Sequence, residues 1–247
     1  MNLPFDLSPM QALFMGGVFL VAAFVRGYSG FGFSALVVSA SALVTNPLYF
    51  VAVVMFCEFG MTLQQWRGIS RDVKWPVVAV LMAGALIGVP AGLAVITAVD
   101  VDTVRAVVAL YVLAMCAVLL RGWAIAPQGL PVTGAVGVFA GAANAVGMAG
   151  LPVASFFTAQ SMPAAAFRAT LIAYFAILDI FSAPIMYAHG LVTWDTIIAA
   201  ALSTPIIVFG VWVGGRQFLR VAPSDFRRFA IGLLAVLALI GLAKAVI

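Results

Sequence analysis

Apolar positions run along this chain in long unbroken stretches. AVVALYVLAMCAVLL (106–120) lacks the alternation of a half-buried strand. A helix needs about 20 such residues to cross a bilayer. Six stretches are long enough: 47–65, 76–98, 103–121, 164–188, 195–215 and 226–246. Two more regions, 9–45 and 129–162, each have length for two helical arms, but glycine interrupts them near the middle. Their second arms, about 34–45 and 152–161, are too short to cross alone at about 1.5 Å per residue.

Composition turns this pattern into a solvent assignment. Of 247 residues, 65% are hydrophobic and 8% charged, whereas a soluble domain carries about a quarter charged residues. Too little polar surface exists to cover so much apolar side chain, so the solvent is largely lipid. The fold class expected is an all-α polytopic membrane protein. A membrane barrel would need alternation that these runs lack. The N-terminus has no basic region and no small-residue cleavage site, so no removed signal peptide is expected. Cys57 and Cys116 sit inside apolar runs and read as small buried hydrophobes rather than a disulfide. The net charge of +4 is spread over short loops and does not suggest nucleic acid. No H-E-x-x-H, C-x-x-C or phosphate loop occurs, and no enzyme activity, metal or cofactor is expected.

The chain repeats itself. GVPAG (88–92) returns as GVWVG (210–214), and Asp102-x-x-Arg105 returns as Asp225-x-x-Arg228. Trp75 and Trp194 each open a helix, and the two broken regions correspond. The halves are 1–122 and 128–247, joined at APQGLP (126–131). If each broken region is a re-entrant hairpin, each half crosses three times and the second half is inverted. One side then collects Arg67, Arg71, Lys74, Arg121, Arg168, Arg216, Arg220, Arg227 and Arg228, against Arg105 and Lys244 on the other. Positive charge marks the first side as cytoplasmic and places both termini outside.

The breaks carry the candidate chemistry. Irregular backbone at membrane depth survives where protein or a cavity satisfies it. Paired broken helices in inverted repeats are the pattern of secondary transporters, with the site near the midplane. The first tip is RGYSGFGF (26–33), the second NAVGMAGLP (144–152). Half-helices starting near Ser34 and Pro152 would aim positive N-terminal ends at a shared space, favouring an anion. The expected binding residues are Arg26, Gly27, Tyr28, Ser29, Gly30, Phe31 and Gly32 from the first tip. From the second come Asn144, Gly147, Met148, Gly150 and Pro152. Arg26 would face the anion with its fixed fork, or else pair with Glu58. Glu58 and Asp179 lie in the two equivalent long helices and are candidates for proton coupling, or partners for an arginine. The GVPAG and GVWVG spacings permit close helix contact.

GYSGFGF (27–33), the basic-flanked RGISRDVKW (67–75), HGLVTW (189–194), GVPAG and GVWVG together resemble the sulfite exporter TauE/SafE family, also called the four-toluene sulfonate uptake permeases. The resemblance covers nearly the whole chain. That family follows each glycine cluster with a proline, and this sequence has one only in the second half, at Pro152. The resemblance implies secondary transport of a small sulfur-containing anion, an organosulfonate, sulfite or thiosulfate. The expected partners are that anion, the lipid bilayer and, in a homodimer, a second copy of the chain.

Two rival readings belong to other classes. The same architecture would serve a passive anion channel. GYSG (27–30) also fits an intramembrane serine protease acting through Ser29, which requires a histidine within reach. The single histidine, His189, is expected in an outer loop.

Overall fold

In a computed structural model of the chain, residues 3–121, 129–160 and 162–218 are described. They contain nine α-helices, a short 3₁₀ turn and no strand. The helices are α1 (Pro9–Ser29), α2 (Phe33–Ser41), α3 (Pro47–Ile69), α4 (Trp75–Ile96), α5 (Val101–Arg121), α6 (Leu130–Asn144), α7 (Gly150–Ala159), α8 (Ala164–Ala188) and α9 (Trp194–Phe218). The expected last span 226–246 lies outside the described residues, with Arg220, Asp225, Arg227, Arg228 and Lys244. So do the 122–128 part of the joint between the halves and Trp123.

Local sequence accounts for the helix starts. Ser8 and Gln11 form a reciprocal capping box, and Pro9 follows at the first helical position. Asn46 accepts from the Leu48 amide at 3.0 Å ahead of Pro47. Six helices are long and apolar enough to cross a membrane: α1, α3, α4, α5, α8 and α9. Five match expected full-length spans. The exception is α1, anticipated as one arm of a region broken near its middle. It runs 21 residues without interruption, and the break falls at 30–32, inside the expected tip 26–33. A glycine inside a helix costs only about 1 kcal/mol, and Gly16, Gly17 and Gly27 all stay helical. By contrast α2, α6 and α7 have 9, 15 and 10 residues, too short to cross alone.

Gln11 at the start of α1 donates to the Val44 carbonyl just beyond α2, at 3.2 Å. The two arms therefore form a hairpin whose base closes on itself. The most extensive helix contacts pair α1 with α9 and α4 with α6. Glycine makes both possible. A Cβ on Gly27 would sit 2.8 Å from Val211 Cα, and one on Gly214 3.0 Å from the Tyr28 nitrogen. A Cβ on Gly92 would sit 2.8 Å from Ala142 Cα, and one on Gly141 2.8 Å from Ala85 Cα. In lipid, where no hydrophobic force joins helices, such close backbone approach supplies the packing.

Helices α3 and α8 lie at the centre against each other. Their most apolar windows are 67% and 61% buried, against 28–39% for the other long helices. Cys57 and Cys116 are buried in α3 and α5, as small apolar residues would be.

Contacts sort the helix ends into two groups. At one end the Phe5 amide donates to Asp195 at 2.8 Å, Phe5 stacks on Tyr49, and Arg105 donates to the Thr45 carbonyl at 3.3 Å. At the other, the Lys74 amide donates to the Thr170 hydroxyl at 3.0 Å, and Trp66 meets Trp75 edge-on.

Candidate functional site

The first break is built by two glycines. Gly30 ends α1 at φ 84° and Gly32 precedes α2 at φ 92°, both in the left-handed region that side chains with a Cβ avoid. The Gly30 amide still donates to the Arg26 carbonyl at 2.9 Å. The Ser29 hydroxyl lies 2.8 Å from the Val25 carbonyl and 2.9 Å from that of Phe31, which ties the turn to its own helix. Arg168, one turn into α8, donates to the Gly27 carbonyl at 2.7 Å. A Cβ on Gly30 would meet its Cγ at 2.8 Å. The rings of Phe31, Phe157 and Phe167 gather beside this latch.

Arg26 is fully buried, with 0% of its surface exposed. Its Nη1 donates to the Gly30 carbonyl, and the guanidinium lies over the Phe175 ring, 5.1 Å from the centroid. Nε and Nη2 find no acceptor. No carboxylate lies within 4 Å of it among the described residues, whose one salt bridge joins Arg105 to Asp102 at the surface. Glu58 and Asp179 are close enough to act on Arg26 through their charge, but a contact ion pair with Glu58 does not form.

The second break differs. The Gly147 amide donates to the Asn144 carbonyl at 2.9 Å, and Gly147 takes φ 69°. The Tyr111 hydroxyl on α5 donates to the Met148 carbonyl at 3.2 Å. Gly150 then opens α7 so close to Phe175 that a Cβ would meet the ring tip at 2.8 Å.

Between the breaks lies a central cavity. Its walls are Ser34 from the start of α2, Val51, Val54, Met55 and Glu58 from α3, and Phe175, Asp179 and Met186 from α8. Asn144, Gly147, Ala149 and Gly150 of the second break complete it. Its volume is about 10 Å³, measured as space for the centre of a water molecule, room for roughly one water. Glu58 and Ser34 face each other across this space, near enough for the Ser34 hydroxyl and amide to act on the carboxylate. Asn144 Nδ2 and Asp179 Oδ2 are buried without a partner.

The structure thus gathers Glu58, Asp179, Asn144, Gly147 and Gly150 of the anticipated residues round one space. The stretch from Arg26 to Gly32, Met148 and Pro152 do not line it; Arg26 stands behind Phe175. Of the lining residues outside the anticipated set, Ser34 and Phe175 matter most to the site's chemistry. Ser34 is the first polar residue after the glycine cluster, a signal that was present. Phe175 is one aromatic among 19 phenylalanines, and nothing local distinguishes it. Ser29 and His189 belong to different neighbourhoods: Ser29 bonds to the turn around it, while His189 Nδ1 lies 3.5 Å from the Thr97 hydroxyl.

A comparison with known families matches residues 15–240 to the sulfite exporter TauE/SafE family. The chain belongs to that family. It is a family of membrane transporters, and six long apolar helices make this member a multi-pass membrane protein. Comparisons with curated proteins and with solved structures gave no match.

Proposed function

We propose that this TauE/SafE-family chain is a secondary transporter that carries a small sulfur-containing anion, of the organosulfonate, sulfite or thiosulfate class, across the bacterial inner membrane. The observation that carries this reading is the single cavity into which the start of α2 and the second helix break both open. Broken helices round a central site are how secondary transporters hold small ions. Arg26 supplies the positive charge behind Phe175, and Asn144 of the second break supplies a buried side-chain donor without a partner. Room for about one water argues for an occluded state rather than an open pore. Movement of one half against the other would open it to each side in turn.

The inverted arrangement of halves 1–122 and 128–247 has support in the contacts. Exchanging α1 with α6, α2 with α7, α3 with α8 and α4 with α9 maps the principal helix pairs of the described residues onto one another. The residues meeting at one end come from before α1, the α2–α3 turn, the start of α5 and the start of α9. Those at the other come from the ends of α1 and α3 and the starts of α4 and α8. On this reading α3 and α8 run in opposite directions, and the amino terminus is periplasmic. Glu58 or Asp179 would carry a proton, because an anion entering beside two carboxylates meets repulsion that a proton relieves.

The test is flux of methanesulfonate, sulfite and thiosulfate in vesicles holding the purified chain. Saturable movement of at least one is expected. Arg26→Gln should lose it while still reaching the membrane. Absence of any flux above empty vesicles would refute the reading. Cysteine labelling should find Gly68→Cys reactive from the cytoplasm and Gly190→Cys from outside; reaction from the same side would end the inverted arrangement.

A further inference from the structure

We infer that Ser34 and Asn144 are direct ligands of the transported anion, and that Glu58 is an internal carboxylate which the anion must replace. This rests on the transport reading above. Three observations converge on it. First, the Glu58 carboxylate stands in the place an oxyanion would seek. It shares the cavity with Ser34, at the second residue of α2, near enough for the Ser34 hydroxyl and amide to act on it. That helix has no side-chain cap, because Gly32 stands at the cap position. Second, Asn144 faces the same cavity from the second break, is only 7% exposed, and its amide nitrogen has no acceptor. A buried amide donor left unpaired is destabilising, and an anion in the cavity would satisfy it. Third, the cavity is too small for any sulfonate while Glu58 remains in place.

Replacement has a charge requirement. A Glu58 carboxylate pushed away from Ser34 into a buried space would be left unsolvated beside a second negative charge. Taking a proton turns it into a carboxylic acid that can leave at little cost. One anion in and one proton onto Glu58 keep the net charge of the site unchanged.

The charged and titratable groups that face Glu58 are few. Helix α1 brings Arg26, α8 brings Asp179, and Cys57 neighbours it on its own helix. Helix α2 brings Ser34. The charged residues of α5 and α9, Asp102, Arg105, Arg121, Asp195 and Arg216, stand in the first or last turns of those helices. Asp179 is the group that could substitute for Glu58 as the proton acceptor, so the experiment separates the two.

Binding of methanesulfonate and thiosulfate to the purified full chain in detergent would be measured by calorimetry from mildly acidic to mildly alkaline pH. Both anions keep a constant charge over that range. In the unaltered protein, affinity should fall as pH rises, approaching about tenfold per pH unit for one linked proton. Glu58→Gln should make affinity flat with pH and tighter than the parent on the alkaline side. Asp179→Asn should keep the slope. Ser34→Ala and Asn144→Ala should each weaken binding by about tenfold or more, with the slope intact. A slope that survives Glu58→Gln, or that vanishes only in Asp179→Asn, overturns the inference and leaves the transport reading standing. So do Ser34→Ala and Asn144→Ala if both bind at parental affinity. Failure of the unaltered chain to bind either anion at any pH removes the transport reading itself.

Discussion

The two helix breaks, one between α1 and α2 and one between α6 and α7, are built to different ends. The first, at residues 30–32, turns on two left-handed glycines and is latched by Arg168 from the other half. Its polar groups are largely spent on itself: Ser29 binds its own turn and Arg26 reaches back to Gly30. The second, at 145–149, turns on the single left-handed Gly147 and faces the cavity with Asn144, Gly147 and Gly150. One break is thus closed against α8, while the other opens onto the space. The first break is a fixed wall and the second a lining, and the side chains at the turns tell them apart.

That contrast can be broken by substitution. Gly30→Ala should have the largest effect on stability, about 2–3 kcal/mol. The new methyl would be strained at φ 84° and would meet both the Cγ and the backbone of Arg168, at 2.8 and 3.3 Å. Thermal unfolding in detergent checks it, and an unchanged midpoint would remove the idea of a rigid first break. Arg168→Gln comes next, at about 1.5–3 kcal/mol for a charged hydrogen bond, with the lower figure fitting a partly exposed group. It should also raise labelling of a Phe31→Cys probe from the cytoplasmic side. Equal labelling with and without Arg168 would show that the latch does not close that end.

Gly150→Ala should cost about 1 kcal/mol or less, because the methyl meets only the tip of the Phe175 ring, which can pivot. Flux should fall much more than stability, since the same ring lines the cavity and covers Arg26. Full flux in this variant would make the second break as inert as the first. The smallest effect is expected away from both breaks. Asp100 accepts from the amides of Asp102 and Thr103 and from the Thr103 hydroxyl at the exposed start of α5. These bonds, chiefly those of Thr103, hold its carboxyl below the usual aspartate range. Its contribution is therefore present above the ordinary aspartate value and lost as pH falls through the lowered one. Asp100→Asn should shift unfolding slightly at neutral pH and not at all in strong acid, with flux unchanged.

Much of the scaffold was legible in the residues. Runs of 20 or more apolar positions dictate helices because lipid cannot satisfy an exposed backbone. The ends of α3, α4, α5, α8 and α9 fall within a few residues of where proline, tryptophan and charge suggested. The contact role of GVPAG and GVWVG was legible too, since small residues four apart leave a groove for another backbone. The site was read less well. Arg26 drew attention as a charge in an apolar run, but one-dimensional pattern cannot tell a charge that faces a cavity from one that lies behind a ring. Ser34 and Phe175 went unnoticed because their importance comes from what stands opposite them, on α3 and at the second break.

By itself, then, the sequence determined the solvent, the helical class and the glycine clusters where helices break, because each depends on residues near one another along the backbone. The tertiary fold alone decided that Glu58 faces Ser34 across the cavity, that Asn144 keeps a donor free, and that Arg168 closes the first break. Those pairings join residues from 24 to 141 positions apart, and no local preference specifies which distant groups a packed helix will bring together.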